Sequence, residues 1–197
     1  MEIPDGHSDV PAGKTASVVT HLQMFERPQE RAERSESSWN LRKVDPSAPD
    51  RYRTLFRRIG EDWLWTSRLL MSDDELRDVL GDPLYEAYVF EAEGQAEGVV
   101  ELDFRNEDEC EISFFGLTPA MVGKGAGRWM MNRVLELAWT RTIRRLWVHT
   151  CSLDHPRALD FYIRSGFVPF RRQIEVTDDP RATGLLPRTA APHVPLL

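Results

Sequence analysis

Apolar residues recur along this chain with two periods. A period of two marks Trp39–Val44, Tyr85–Glu91, Gly98–Phe104, Glu109–Leu117, Arg145–Thr150 and Phe167–Val176, and predicts six strands. A period of three to four marks Tyr52, Leu55, Phe56 and Ile59, then Leu76, Val79 and Leu80, then Trp129, Met130, Val134, Leu137 and Ala138, the apolar faces of three helices. Ser72-Asp73-Asp74-Glu75 reads as a capping box opening the second helix, which Gly81 and Asp82-Pro83 close. Asp154 and Pro156 open a fourth helix, and Gly166 ends it. Strands 85–91, 98–104 and 109–117 form a meander, the first turn lying around Glu93-Gly94-Gln95. Residues 1–36 show neither period and are expected to be a mobile leader. From Thr177 the chain is Pro-rich and reads as a loose tail, which leaves one domain over 37–176.

Between the third meander strand and the Trp129 helix lies Thr118-Pro119-Ala120-Met121-Val122-Gly123-Lys124-Gly125-Ala126-Gly127-Arg128. A glycine-spaced loop running into a helix brings backbone N–H groups and the positive end of a helix dipole to one point, where a pyrophosphate can sit. A dinucleotide fingerprint fits poorly, because Thr118–Val122 separate strand from loop and position 128 is Arg. Gly13-Lys14-Thr15 has the end of a nucleotide P-loop, but Ser8 occupies the place of its first glycine. An ordinary tight turn into a helix is the other reading of the segment.

Composition narrows the class. The 197 residues are 41% hydrophobic with a mean hydropathy of −0.44, which suits a soluble single domain. No apolar run approaches the ~20 residues of a membrane span and no signal-peptide pattern is visible, so a cytoplasmic protein without membrane contact is expected. The net charge of −7 argues against a nucleic-acid partner. Cys110 and Cys151 have no metal-ligand spacing, and no metal is expected. Lysine occurs only at positions 14, 43 and 124, and the last lies inside the glycine loop.

The loop with Gly125 and Gly127, followed by Ala158-Leu159-Asp160-Phe161-Tyr162-Ile163-Arg164-Ser165-Gly166-Phe167, resembles the GNAT superfamily of acyl-CoA-dependent N-acetyltransferases over roughly residues 38–176. The resemblance implies an α/β (α+β) fold: a mixed, mostly antiparallel central sheet flanked by helices, splayed between the fourth and fifth strands. It implies an enzyme that moves an acetyl group from acetyl-CoA to a primary amine by direct attack in a ternary complex, with a small-molecule amine as acceptor. An acyl-CoA-binding module without turnover, or transfer to a protein amine, is the alternative, and a homodimer is left open. Coenzyme contacts are implied for Leu117, Val122, Gly123, Lys124, Gly125, Ala126, Gly127, Arg128, His155 and Ala158. Val122 stands where the family prefers Gln or Arg, and His155 where many members have Asn.

Glu111, on the strand before the loop, corresponds to a glutamate that serves some members as general base; a solvated strand charge is the alternative. Glu109 and Glu101 are weaker substitutes, acting through water. Tyr162, one helical turn after the small Ala158, corresponds to the acid that protonates the coenzyme thiolate, and otherwise reads as a core aromatic. Trp63 and Trp65 border the implied acceptor site, as an aromatic wall or as core. His149 and Cys151 share a strand face and could form a base and nucleophile, though both residue types are more often core.

Overall fold

The computed structural model describes residues 5–34, 36 and 38–197; residues 1–4 and 35 of the expected leader lie outside them. Seven strands form one sheet: β1 (Lys14–Met24), β2 (Asn40–Lys43), β3 (Tyr85–Ala92), β4 (Gln95–Asp103), β5 (Glu109–Leu117), β6 (Arg145–Cys151) and β7 (Val168–Asp178). The helices are α1 (Pro49–Gly60), α2 (Ser67–Leu70), α3 (Asp73–Gly81), α4 (Ala126–Ala138) and α5 (Ala158–Arg164). Spatial order is β2-β3-β4-β5-β6-β1-β7, and every neighbouring pair is antiparallel except β5 with β6. The Ser72 hydroxyl accepts from the Glu75 amide and the Glu75 carboxylate accepts from the Ser72 amide, completing the predicted capping box.

The two sheet faces carry separate cores. Tyr52, Leu55, Phe56 and Ile59 of α1, with Leu76 and Leu80 of α3, cover Ala87, Val89 and Val99. On the other face Met130, Met131 and Val134 of α4 cover Phe90, Val100, Leu102, Ile112, Leu146 and Val148. Among the described residues no helix is long and apolar enough to cross a membrane.

Two expectations are corrected. The segment read as a mobile leader contains β1, which lies inside the sheet. β1 is antiparallel to both β6 and β7, so those two strands run parallel to each other with a gap one strand wide, and β1 fills it. Its burial alternates, with Thr15, Ser17 and Val19 inward and Lys14, Ala16 and Val18 outward. Small hydroxyl side chains at inward positions conceal the period when apolarity alone is followed. The segment read as a loose tail is folded too: β7 runs on to Asp178, and Leu186, Ala190 and Ala191 pack against Leu64. The buried Arg181 guanidinium holds this stretch by donating to the carbonyls of Ala190, Ala191 and Val194 while paired with Asp179 at 2.7 Å. A stretch held by one guanidinium and a small apolar cluster leaves no periodic signature.

Candidate active site

The site opens where β5 and β6 part. Their parallel pairing ends at Ile112↔Val148, yet β5 continues to Leu117 and β6 to Cys151. Opposite the gap β5 is bulged: Glu101 pairs with Phe114 and Leu102 with Ile112, which leaves Ser113 without a partner on β4. A cleft of about 1120 Å³ passes through this opening. Its walls include Leu117, Val122, Gly123, Gly127, His155, Ala158 and Tyr162 on the α4–α5 side, and Trp63 and Trp65 on the α1–α2 side.

The glycine loop is a tight turn running into α4. Gly123 and Gly125 adopt φ of +83° and +93°, a region that suits glycine. The Val122 and Lys124 amides donate within the turn, to Pro119 and Met121. Ala126 and Gly127 open α4, where amides have no helical carbonyl upstream, so they with Gly123 and Gly125 form the remaining donor set. A Cβ at Gly127 would stand 3.6 Å from Phe161 and 3.8 Å from Leu117, facing the cleft. Lys124, Gly125, Ala126 and Arg128 do not line the cleft. Ala126 is buried, Arg34 lies over Gly125, and the Arg128 guanidinium donates to the Ala32 carbonyl.

On α5, Ala158 and Tyr162 share the cleft-facing side, as their spacing predicts. The Tyr162 ring packs on Phe115, Phe161 and Phe167, and burial pushes its phenol well above the usual tyrosine range. Its proton is therefore present at every working pH. His155 Nδ1 accepts from the Arg157 amide, which leaves Nε2–H as the free donor, and burial lowers its proton affinity.

Trp65 and Trp63 take different roles. Trp65 packs between Phe56 and Phe114, and its Nε1–H donates to Asp154 Oδ1 at 3.0 Å. The second Asp154 oxygen accepts from the Thr150 hydroxyl and the Cys151 amide, so one carboxylate fastens the α1–α2 loop to the end of β6. In the sequence Asp154 reads only as a helix opener. Trp63 sits between His155 and His193, with ring centres 5.4 and 5.5 Å away.

The acidic residues separate clearly. Glu101 is fully buried, bound by Arg68 at 2.6 Å and by the hydroxyls of Tyr52 and Tyr85, which removes it as a base. Glu109 pairs with Arg145 at 2.9 Å, at the start of its strand. Glu111 approaches His149, Oε1 to Nδ1 3.3 Å, on the face opposite α4. Burial pushes both cysteine thiols up, so Cys151 is no activated nucleophile. The Ser113 bulge and His149 at the strand opening carried no motif of their own; only the register of the sheet brings them together.

The family model described as the acetyltransferase (GNAT) family matches residues 50–167. No curated protein matches the chain. Among solved structures, the GCN5-related N-acetyltransferase of Sphaerobacter thermophilus gives a TM-score of 0.62 at 13% identity, over 84% of this chain and 53% of that one. Mutant forms of the spermidine/spermine N-acetyltransferase SpeG of Vibrio cholerae give 0.53 at 20% identity, over 72% and 95%. An aminoglycoside acetyltransferase from an uncultured soil metagenomic sample, in complex with trehalose, gives 0.55 at 13% identity, over 66% and 88%. The chain spans about half to two thirds of the length of the first solved structures it matches. At these identities the likeness is one of fold.

Proposed function

Because this chain belongs to the acetyltransferase (GNAT) family, whose members use acetyl-CoA as cosubstrate, we propose that it is an N-acetyltransferase that moves an acetyl group from acetyl-CoA to a primary amine in a ternary complex. The observation that carries this reading is the continuous cleft: it runs from the glycine loop, through the opening between β5 and β6, to Trp63 and Trp65 on the opposite face. Two substrates entering from opposite sides of the sheet would meet at the bulge.

The amides of Gly123 and Gly127, which border the cleft, with the α4 dipole, favour a pyrophosphate. The unpaired edge of β5 up to Leu117 offers backbone groups to an extended pantetheine arm. A backbone N–H at the Ser113 bulge polarises the thioester carbonyl and stabilises the oxyanion formed on attack. Tyr162 donates its proton to the departing thiolate. Glu111 supplies the negative charge that favours removal of a proton from the amine. Small polyamines and aminoglycosides, the compounds named for two structural neighbours, are the first acceptors to try.

Calorimetric titration with acetyl-CoA, paired with thiol release in the presence of these amines, tests the assignment. Wild-type protein should bind saturably and release thiol. Gly127→Val, whose side chain points between Phe161 and Leu117 from a helical backbone, should keep the fold and weaken binding by about 100-fold or more. A folded wild type that does not bind acetyl-CoA sinks the proposal, and binding without thiol release assigns the chain to acyl-CoA sensing instead.

A further inference from the structure

We propose that His149 is the group that takes the proton from the acceptor amine, and that Glu111 acts from behind it, orienting the imidazole and stabilising its charge. This role rests on the transferase activity proposed above and names the atom at which its proton transfer occurs. Beyond the last parallel pair, Ile112↔Val148, Ser113 and His149 are the first residues on the two sides of the opening. Alternation along β6 puts His149 on the face of Trp147, whose partner on β5 is Glu111. The Glu111 side chain is 19% exposed and that of His149 45%, and His149 rather than Glu111 lines the cleft. The imidazole thus stands between the carboxylate and the space where an amine arrives. Glu111 Oε1 lies 3.3 Å from Nδ1, so the carboxylate favours the tautomer that holds its proton on Nδ1 and its lone pair on Nε2.

The neighbouring groups favour this division. Across the β1–β6 ladder His21 lies opposite His149, ring centres 5.7 Å apart, but its Nε2 meets Gln173 Oε1 at 2.7 Å. Burial, with His149 and Arg171 nearby, lowers the proton affinity of His21 against the Gln173 bond and Glu111, which raise it. Glu111 first, then Asp154 from the loop after β6 and Glu175 from β7, raise that of His149 against the effect of its burial. Of the cations on this face, Arg145 of β6 is engaged by Glu109, and Arg171 of β7 lies opposite His21. Two adjacent imidazoles with environments of opposite sign divide the roles: His149 is the better proton acceptor and His21 the poorer.

In the reaction the amine nitrogen bonds to the carbonyl carbon, and its proton passes to His149 Nε2. The carbon–sulfur bond breaks, and the thiolate takes the Tyr162 proton. Solvent carries the imidazolium proton back to Tyr162, leaving an amide and a free thiol.

The test combines the pH dependence of kcat/KM with imidazole titration by NMR in wild type, His149→Gln and Glu111→Gln. His149→Gln should lower kcat by about 100- to 1,000-fold and flatten the limb set by the base, with acetyl-CoA affinity retained. Glu111→Gln should lower the directly measured His149 pKa, because the imidazolium loses its carboxylate, and shift the rate limb to lower pH in step. An unchanged limb in His149→Gln, while wild type turns over, overturns the base and leaves the transferase standing. A His149 pKa unmoved by Glu111→Gln overturns the pairing whether or not the protein turns over. Wild type that binds acetyl-CoA but never releases thiol overturns base and transferase together.

Discussion

A methyl group does not fit at Gly116. A Cβ there would lie 2.5 Å from Ile59 Cγ2 and 2.8 Å from the far edge of the Trp65 indole, so the absence of a side chain on β5 is what admits the tryptophan. Gly60 does the same from α1, where a Cβ would stand 2.5 Å from that of Trp65. Gly116→Ala should therefore displace Trp65 and break its bond to Asp154. The expected cost is about 1–3 kcal/mol in urea unfolding, accompanied by a raised KM for the acceptor and an unaltered acetyl-CoA Kd. An equal loss of coenzyme affinity would show that Trp65 does not belong to the acceptor side alone. Glu101 illustrates the opposite constraint: three buried partners fix its carboxylate, and it serves the docking of α2, through Arg68, rather than chemistry.

Among the elements, β1 distinguishes a folded part from a leader most sharply. Leu22 is fully buried in the α4-side core, whereas Val10, ahead of the strand, is exposed. Leu22→Ala should cost about 2–5 kcal/mol in chemical denaturation, and Val10→Ala almost nothing. Equal, negligible effects would return β1 to the status of a leader. The meander, α1, α3 and α4 were legible because their periods and caps are local: Ser72 and Glu75, or Glu93 and Gly94 in a turn with φ of +52° and +73°, act within a few residues of each other. β1 was not legible, since its pairing with β6 and β7 is decided by residues more than 100 positions away. The site divides in the same way. The glycine loop is marked by its spacing, and Ala158 and Tyr162 by the family resemblance of their helix. His149 and Asp154 acquire their meaning only when β5, β6 and the α1–α2 loop come together.

For the molecule as a whole, the stretch after β7 folds back against the Trp63 side of the cleft. Arg181 binds carbonyls at 190, 191 and 194, and His193 abuts Trp63. Arg181→Met would remove the guanidinium from Asp179 and from the Ala190 and Val194 carbonyls, while the residue-181 amide still donates to Asp179 and the Val194 amide to Ala191, at about 1–3 kcal/mol for each buried group left unpaired. The expected result is rapid proteolytic cleavage after residue 181 and a weakened acceptor KM, with the sheet still protected from cleavage. Resistance equal to wild type would show that the stretch is held by Leu186, Ala190 and Ala191 alone. The strand in the middle of the sheet has a further consequence, for assembly in time. Thr15 meets Thr177 across 162 residues, and Val18 meets Ser152 across 134. At ribosomal speeds of roughly 5–20 residues per second, the first strand waits on the order of ten seconds before its partners have been synthesised. During that interval β1 is an unpaired strand, and the gap that later opens between β6 and β7 fits any copy of it. Exchange of β1 between neighbouring nascent chains would use the same contacts that close a single chain, so a swapped pair is the misassembly to look for by sizing the freshly synthesised protein.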